Sequence, residues 1–163
     1  MDVEKLKEGI IFHKKNSPKT YKKDIDLGVP IFVLHKNIIN GIDRILNKKY
    51  EMTNIELDVL SSLVLGGGDE CILSPTQLYD RLVFSSGGMT KVLKKLELKE
   101  FITRVENSED KRSKLVKLTS KGREICDKAL KEVVTYECQY FECLEKGEKE
   151  NLKSILFKVL ENN

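Results

Sequence analysis

Apolar residues recur along this chain mostly at helical spacing, with one short stretch that alternates instead. Asp2 to Phe12 reads as a short amphipathic helix, stopped by Asn16-Ser17-Pro18. The basic stretch that follows, through Lys23, reads as surface or a flexible arm. Pro30 suits the first position of a second helix. Beyond it Ile31, Leu34, Ile38, Ile42 and Ile45 form a stripe that Val33, Ile39 and Leu46 widen. That is more apolar surface than a helix facing one neighbour needs, which fits a deeply buried helix or one in a subunit interface.

The middle of the chain is more finely punctuated. Thr53-Asn54-Ile55-Glu56 has the form of a capping box, in which hydroxyl and carboxylate satisfy each other's orphan amides. The helix it opens carries Leu57, Leu60, Leu63 and Val64 and stops at Gly66-Gly67-Gly68. This triplet lacks the spacing of a nucleotide-binding loop. Cys71-Ile72-Leu73 is short enough for a minor strand. Ser74-Pro75-Thr76-Gln77 then combines a Ser cap, Pro at the first helical position and Gln three residues after the cap. A short helix to Arg81 or Leu82 follows, and Ser85-Ser86-Gly87-Gly88 breaks it and caps another from Met89 to about Lys99. Two short capped helices joined by a tight turn make a helix-turn-helix.

Alternation takes over next. Phe101 to Val105 and Lys114 to Leu118 read as strands around the polar turn Asn107 to Arg112, a β-hairpin placed as the wing of a winged helix. Thr119 can cap a long helix from Ser120 to about Leu144, and Gly147 breaks it before a last amphipathic helix carrying Leu152, Ile155, Leu156, Val159 and Leu160. The expected fold is mainly α with a small β-hairpin wing: a winged helix-turn-helix lobe over residues 54–123, flanked at 1–50 and 124–163 by long dimerisation helices. Their apolar faces exceed what a winged helix of that size can cover, and pairing across a two-fold axis is the preferred explanation.

Charge sharpens this picture. The 163 residues hold 29 Lys and Arg against 26 Asp and Glu, a net charge of +3 that decides little by itself. Twelve of the basic residues and only five acids fall between Arg81 and Arg123. The helix-turn-helix and wing therefore sit on the basic part of an otherwise mildly acidic chain, as contact with a phosphate backbone requires.

Other classes find little support. The longest apolar run, Val29 to Leu34, is too short to span a bilayer. The first residues lack the basic-then-apolar order of a signal peptide, so the expectation is a cytoplasmic protein without a membrane partner. Cys71, Cys126, Cys138 and Cys143 form no CxxC pair, which argues against a disulfide framework or a zinc cluster and leaves oxidant sensing undecided. His13 and His35 are too scattered to complete a metal site with these thiols, and no cofactor is implied. No Ser-His-Asp, Cys-His or paired-carboxylate arrangement suggests an enzyme.

The stretch LSPTQLYDRLVFSSGGMTKVLKKLELKEFITRVENSEDKRSKLVKLTSKG resembles the MarR family of bacterial transcription regulators. The likeness is carried by Leu73-Ser74-Pro75, by Ser85-Ser86-Gly87-Gly88-Met89-Thr90, by Asp110-Lys111-Arg112 and by Leu118-Thr119-Ser120-Lys121-Gly122, in this order and spacing. It implies a homodimer on a pseudo-palindromic double-stranded DNA operator, probing the major groove with the second helix and the minor groove with the wing. A repressor released by a small-molecule effector or a stress signal is the expected activity. Relatives place Gly where this chain has Glu100, and a left-handed geometry there costs a non-glycine residue roughly 1 kcal/mol, so a differently shaped turn is one expectation.

The residues fall into place on that frame. Ser85, Ser86 and Gly87 sit at a helix N-terminus, where hydroxyls and amides can hold phosphate. Thr90, Lys91 and Lys94 occupy the outer face of the recognition helix, suited to thymine methyl, guanine or phosphate. Thr76 and Gln77 can reach the backbone from the supporting helix. By family likeness Arg112 enters the minor groove, with Asp110 and Lys111 supporting the wing. His35, Lys36 and Tyr50 are polar groups available to an effector, without an assigned pocket. The competing reading is a winged helix kept for protein interaction without a specific DNA target.

Overall fold

The computed structural model describes residues 2–82, 88–108 and 113–162. The chain divides into two compact units, Met1–Ile42 and Asp43–Asn163.

In the first unit, α1 (Val3–Asn16) starts from Asp2, whose carboxylate accepts from the Glu4 amide, and runs one turn further than its apolar pattern. The second helix, α2 (Ile25–Tyr50), does not begin at Pro30. Bonds of the i→i+3 type, from the amides of Ile25, Asp26 and Leu27 to the carbonyls of Lys22, Lys23 and Asp24, wind its first turn before the proline is reached. Pro30 then lies in the second turn, where it withholds one amide from the ladder and crowds the carbonyl four residues back. The basic stretch between these helices is not a loose arm. Thr20 and Tyr21 amides both return to the Ser17 carbonyl, forming a closed turn.

The second unit carries the end of α2 and the remaining elements. α3 (Asn54–Gly66) opens on the complete Thr53/Glu56 capping box and closes where the Gly67 amide reaches the Leu63 carbonyl. Gly68 follows with φ of 63°, a left-handed turn that glycine takes at no steric cost. β1 (Ile72–Leu73), α4 (Pro75–Arg81) and α5 (Met89–Leu98) come next, then β2 (Ile102–Glu106) and β3 (Lys114–Leu118). The strands form one antiparallel sheet in the order β1-β3-β2, with Leu73 opposite Val116 and Ile102 opposite Leu118. The hairpin is therefore anchored on its far side by the strand that leads into α4.

α6 (Ser120–Gln139) is capped by Thr119, whose hydroxyl accepts from the Gly122 amide at 2.9 Å. This helix ends five residues before the expected Leu144, because the chain tightens into i→i+3 bonds from Tyr140 onward. Gly147 is not the breaker. It lies in the first turn of α7 (Lys146–Glu161), where the Glu145 amide donates to the Glu148 carboxylate.

The core gathers Leu57, Leu60 and Leu63 of α3, Leu78 of α4, Leu93 and Leu96 of α5, Val116 of β3, and Cys126 and Ala129 of α6, all essentially without solvent exposure. Gly122 is required there. A Cβ on it would collide with the Phe101 carbonyl, the same oxygen that accepts from the Thr119 amide at 3.0 Å. The backbone of α6 thereby docks directly against the start of the wing. No helix among the described residues is long and apolar enough to cross a membrane.

Candidate nucleic-acid interface

α4 and α5 both pack on α3, and each divides sharply into a buried and an exposed side. On α5, Met89, Leu93 and Leu96 are buried while Thr90, Lys91 and Lys94 face solvent, which is the division expected of a recognition helix. On α4, Leu78 is buried, and Thr76 and Gln77 lie exposed in the first turn. Gln77 is half committed already: its side-chain oxygen accepts from the Ser74 amide at 2.8 Å, and its own amide donates to Ser74 Oγ at 3.1 Å. Its side-chain NH2 is the part left to address a ligand. Ser85, Ser86, Gly87, Asp110, Lys111 and Arg112 lie outside the described residues.

The basic segment is less available than its charge suggests. Arg104 pairs with Glu97, Lys117 with Glu70, Lys121 with Glu100 and Arg123 with Asp127. Lys95 and Lys99 both reach Glu56, at 2.9 and 3.3 Å. Lys91 and Lys94 enter no such pair among the described residues, and neither do Arg81 on α4 and Lys114 on β3. What remains for a phosphate backbone among the described residues is thus two lysines on the outer face of α5, with one cation each on α4 and β3.

Glu56 is the residue that the sequence pattern undersold. It completes the cap of α3, yet its side chain is only 1% exposed because α5 covers it. Burial raises the cost of its charge, but hydrogen bonds from Lys95 and from the Thr53 amide and hydroxyl outweigh that and hold the carboxyl below its ordinary range. Lys99 adds a second tie by donating to the Glu51 carbonyl at 2.6 Å, and Glu51 itself has φ of 51°. The recognition helix is thereby fastened by two lysines to the chain around the start of α3. The capping-box spacing was visible in the sequence, whereas the partners 39 and 43 residues away were not.

The wing is joined to the same helix. The residue between them, Glu100, keeps a left-handed φ of 61°, so the turn has the geometry for which glycine is suited rather than a different shape. Lys121 binds its exposed carboxylate at 2.9 Å, and the Thr119 hydroxyl donates to its carbonyl at 2.7 Å.

A separate groove of about 580 Å³ runs between the last turn of α2 and α6, lined by Ile45, Tyr50, Lys128, Lys131 and Tyr136 among others. Glu132 accepts from Lys49 at 2.5 Å and from the Tyr50 hydroxyl at 2.8 Å on its wall. Tyr50 is thus placed in a cavity, while His35 and Lys36 are not among its lining residues. Of the thiols, Cys126 is buried and pushed up to about 12, chiefly by desolvation, which leaves it unreactive. Cys138 and Cys143 are exposed, and Cys71 is half-buried and receives a hydrogen bond from Arg123 at 3.3 Å. Among the described residues no cluster of His, Cys, Asp and Glu could hold a metal ion.

Comparison with known proteins agrees with this architecture. Residues 42–129 match the family model described as transcriptional regulator SarA/Rot. The chain is 33% identical over 116 residues to the multiple antibiotic resistance protein MarR of Salmonella typhimurium, covering 69% of this chain and 75% of that protein. It is 30% identical over 121 residues to the HTH-type transcriptional regulator PecS of Dickeya dadantii, covering 72% of each. The crystal structure of apo MarR from E. coli superposes with a TM-score of 0.69 at 28% identity, over 82% of this chain and 96% of that one. The matched residues include the buried faces of α3, α4 and α5, the sheet and the first half of α6, so the chain belongs to the MarR/SarA family of winged helix-turn-helix transcriptional regulators, which are DNA-binding proteins and not enzymes.

Proposed function

We propose that this regulator is a sequence-specific repressor that binds a pseudo-palindromic double-stranded DNA operator as a homodimer and is released by a small molecule or stress signal. The observation that carries the reading is the outer face of α5, where Thr90, Lys91 and Lys94 are exposed and the two lysines have no carboxylate partner among the described residues. Thr76 and Gln77 of α4 supply backbone contacts that fix the register of α5 in the major groove. Ser85, Ser86 and Gly87 hold phosphate at the recognition-helix N-terminus, and Arg112 enters the minor groove with Asp110 and Lys111 supporting it.

The homodimer is supported by apolar surface that no layer covers among the described residues. α7 has no buried residue, and its Ile155, Leu156, Phe157 and Leu160 are exposed, as are Leu27, Ile31 and Phe32 on α2. Burial of apolar area at roughly 25 cal/mol per Å² makes such faces costly to leave in water. Release follows when an effector alters the spacing of the two recognition helices, which must match half-sites about 34–36 Å apart. The groove beside Tyr50 is the site in which we place that effector.

Selection of DNA fragments by the purified protein, at a stated salt concentration, tests the reading. A two-fold-symmetric enriched site is expected, with Arg112→Ala binding it about 1–3 kcal/mol more weakly. Equal binding to scrambled DNA overturns sequence specificity.

A further inference from the structure

Inside the unit Asp43–Asn163, consecutive residues of the chain join the groove beside Tyr50 to the recognition helix. Lys49 and Tyr50, on the groove wall, both donate to the Glu132 carboxylate of α6. Glu51 follows directly, and its carbonyl accepts from Lys99 Nζ at 2.6 Å. Lys99 is the residue on which α5 ends. A single backbone corner therefore touches the groove on one side and the recognition helix on the other.

The corner has little freedom to absorb a movement. Glu51 holds φ of 51°, in the small left-handed region open to an L-residue. Met52 beyond it is fully buried, and its amide returns to the Leu46 carbonyl at 3.2 Å. With Met52 fixed, a shift of Tyr50 is taken up by rotation of the planar peptides on either side of Glu51. The Glu51 carbonyl turns with them.

Lys99 is equally confined. Its side chain is only 22% exposed, and its ammonium also reaches Glu56 at 3.3 Å and lies 5.9 Å from the Phe101 ring centre. A carbonyl turned away from this ammonium leaves a largely buried donor short of an acceptor, which the end of α5 relieves by following it. α5 has 10 residues and a length of about 15 Å, so a tilt at Lys99 repositions Lys94, Lys91 and Thr90 together.

We infer that the Tyr50–Glu51 corner is the link by which an occupant of the groove resets the recognition helix of its own subunit, with Glu51 and Lys99 as positioning residues for DNA binding. The inference rests on the placement of the effector in that groove. An occupant that separates Tyr50 or Lys49 from Glu132 frees the last turn of α2, and the corner carries the change to Lys99. α3 offers a competing route, since it packs on both α6 and α5 without using the corner.

Tyr50→Phe removes the hydroxyl that binds Glu132 and keeps the ring, so it imitates an occupied groove without any ligand. Affinity for one selected duplex at a fixed salt concentration is measured for the native chain, Y50F, K99M and the double variant. Y50F is expected to change binding by about fivefold or more in the native background, and by less than about twofold beside K99M. Lys117→Met, which removes the same charge from the wing, should leave the Y50F effect whole. An equal effect of Y50F in all three backgrounds overturns the link in favour of the route through α3. So does a Y50F protein that binds with the native affinity.

Amide hydrogen exchange on the DNA-free native chain and Y50F gives a second reading that needs no folded K99M. The Lys99 and Glu100 amides donate to Lys95 and Glu97 carbonyls at the end of α5. Faster exchange there in Y50F, together with Met52, supports the link, and unchanged exchange at Lys99 and Glu100 overturns it. Absence of DNA binding by the native chain is instead a failure of the operator reading, and exchange still decides the link. A groove that takes no effector fails the effector placement alone, because neither measurement uses a ligand.

Discussion

Glu56 Oε2 accepts a hydrogen bond from Lys95 Nζ at 2.9 Å, so a buried carboxylate at the start of α3 holds the recognition helix from behind. Lys95 is one turn from Lys91 and follows Lys94 directly, which makes the tie a determinant of how the DNA-facing residues are presented. Glu56→Gln keeps the capping geometry but removes the charge. It is expected to lower unfolding stability by about 1–2 kcal/mol, at the low end of the roughly 1.5–3 kcal/mol of hydrogen bonds to charged groups. Half of the Lys95 side chain is exposed, which keeps the loss below that of a fully buried pair. A double-mutant cycle with Lys95→Met, read by denaturant unfolding, isolates the pair, and a coupling indistinguishable from zero would remove Lys95 from the argument.

The same carboxylate gives stability a pH dependence of defined sign. Its folded-state value lies below the ordinary 4.5, so folding favours the ionised form. The contribution is fully present above 4.5 and is lost as pH falls through the lower folded value. Thermal stability of the native chain should therefore fall below pH about 4.5, and Glu56→Gln should show a shallower decline over that window. Parallel pH profiles for the two proteins would show that other carboxylates govern acid unfolding.

Asp58, two residues along α3, behaves oppositely. Its Oδ2 is buried with no hydrogen-bond partner among the described residues, and desolvation pushes the carboxyl up to about 6 from 3.8. Folding then favours the protonated acid: the contribution is present below 3.8 and lost as pH rises through about 6. At neutral pH Asp58 costs stability. Asp58→Asn is expected to stabilise the protein by about 1 kcal/mol at pH 7, after discounting for the side chain's partial exposure. The gain should vanish below pH about 4, measured by denaturant midpoints at the two pH values.

Features settled within a few residues were legible in the sequence. The boxes Thr53/Glu56 and Ser74/Gln77, the Thr119 cap and the glycine stop after Leu65 follow from local donor and acceptor chemistry, and all four are present. The buried stripe Met89, Leu93, Leu96 followed from period alone. Pro30 was misleading because proline marks where a helix is permitted to start, not where the preceding i→i+3 turns have already started it. The end of α6 was obscured for a related reason: Phe141 and Leu144 continue the apolar pattern after the backbone has left the helix. Ion pairing was the least legible, since Glu56 meets lysines through tertiary packing and no spacing rule points to them.

Glu100 offers a test of local strain. Its φ of 61° places a Cβ where L-residues are disfavoured, at the junction between α5 and the wing. Glu100→Gly relieves this and gives up the exposed pair with Lys121, which contributes little in water. The expected result is a melting temperature raised by about 2–4 °C with the fold unchanged. A lowered melting temperature would mean that the Lys121 contact matters more than the backbone geometry.

The division of the basic segment into paired and unpaired residues separates two kinds of lysine by function. Lys91 and Lys94 are exposed without a carboxylate, whereas Lys117 is occupied by Glu70 at 3.1 Å. An unpaired lysine that meets phosphate releases a counterion, while one already neutralised releases little. Lys91→Ala and Lys94→Ala should each make the salt dependence of operator binding shallower by about 0.9, or cost about 1–3 kcal/mol at one base position if the lysine reads guanine. Lys117→Ala should change the slope by much less. The comparison uses one duplex and one salt series for all three variants. Equal slopes would place the charge that meets DNA elsewhere than the outer face of α5, because net charge changes identically in each variant and only the position differs.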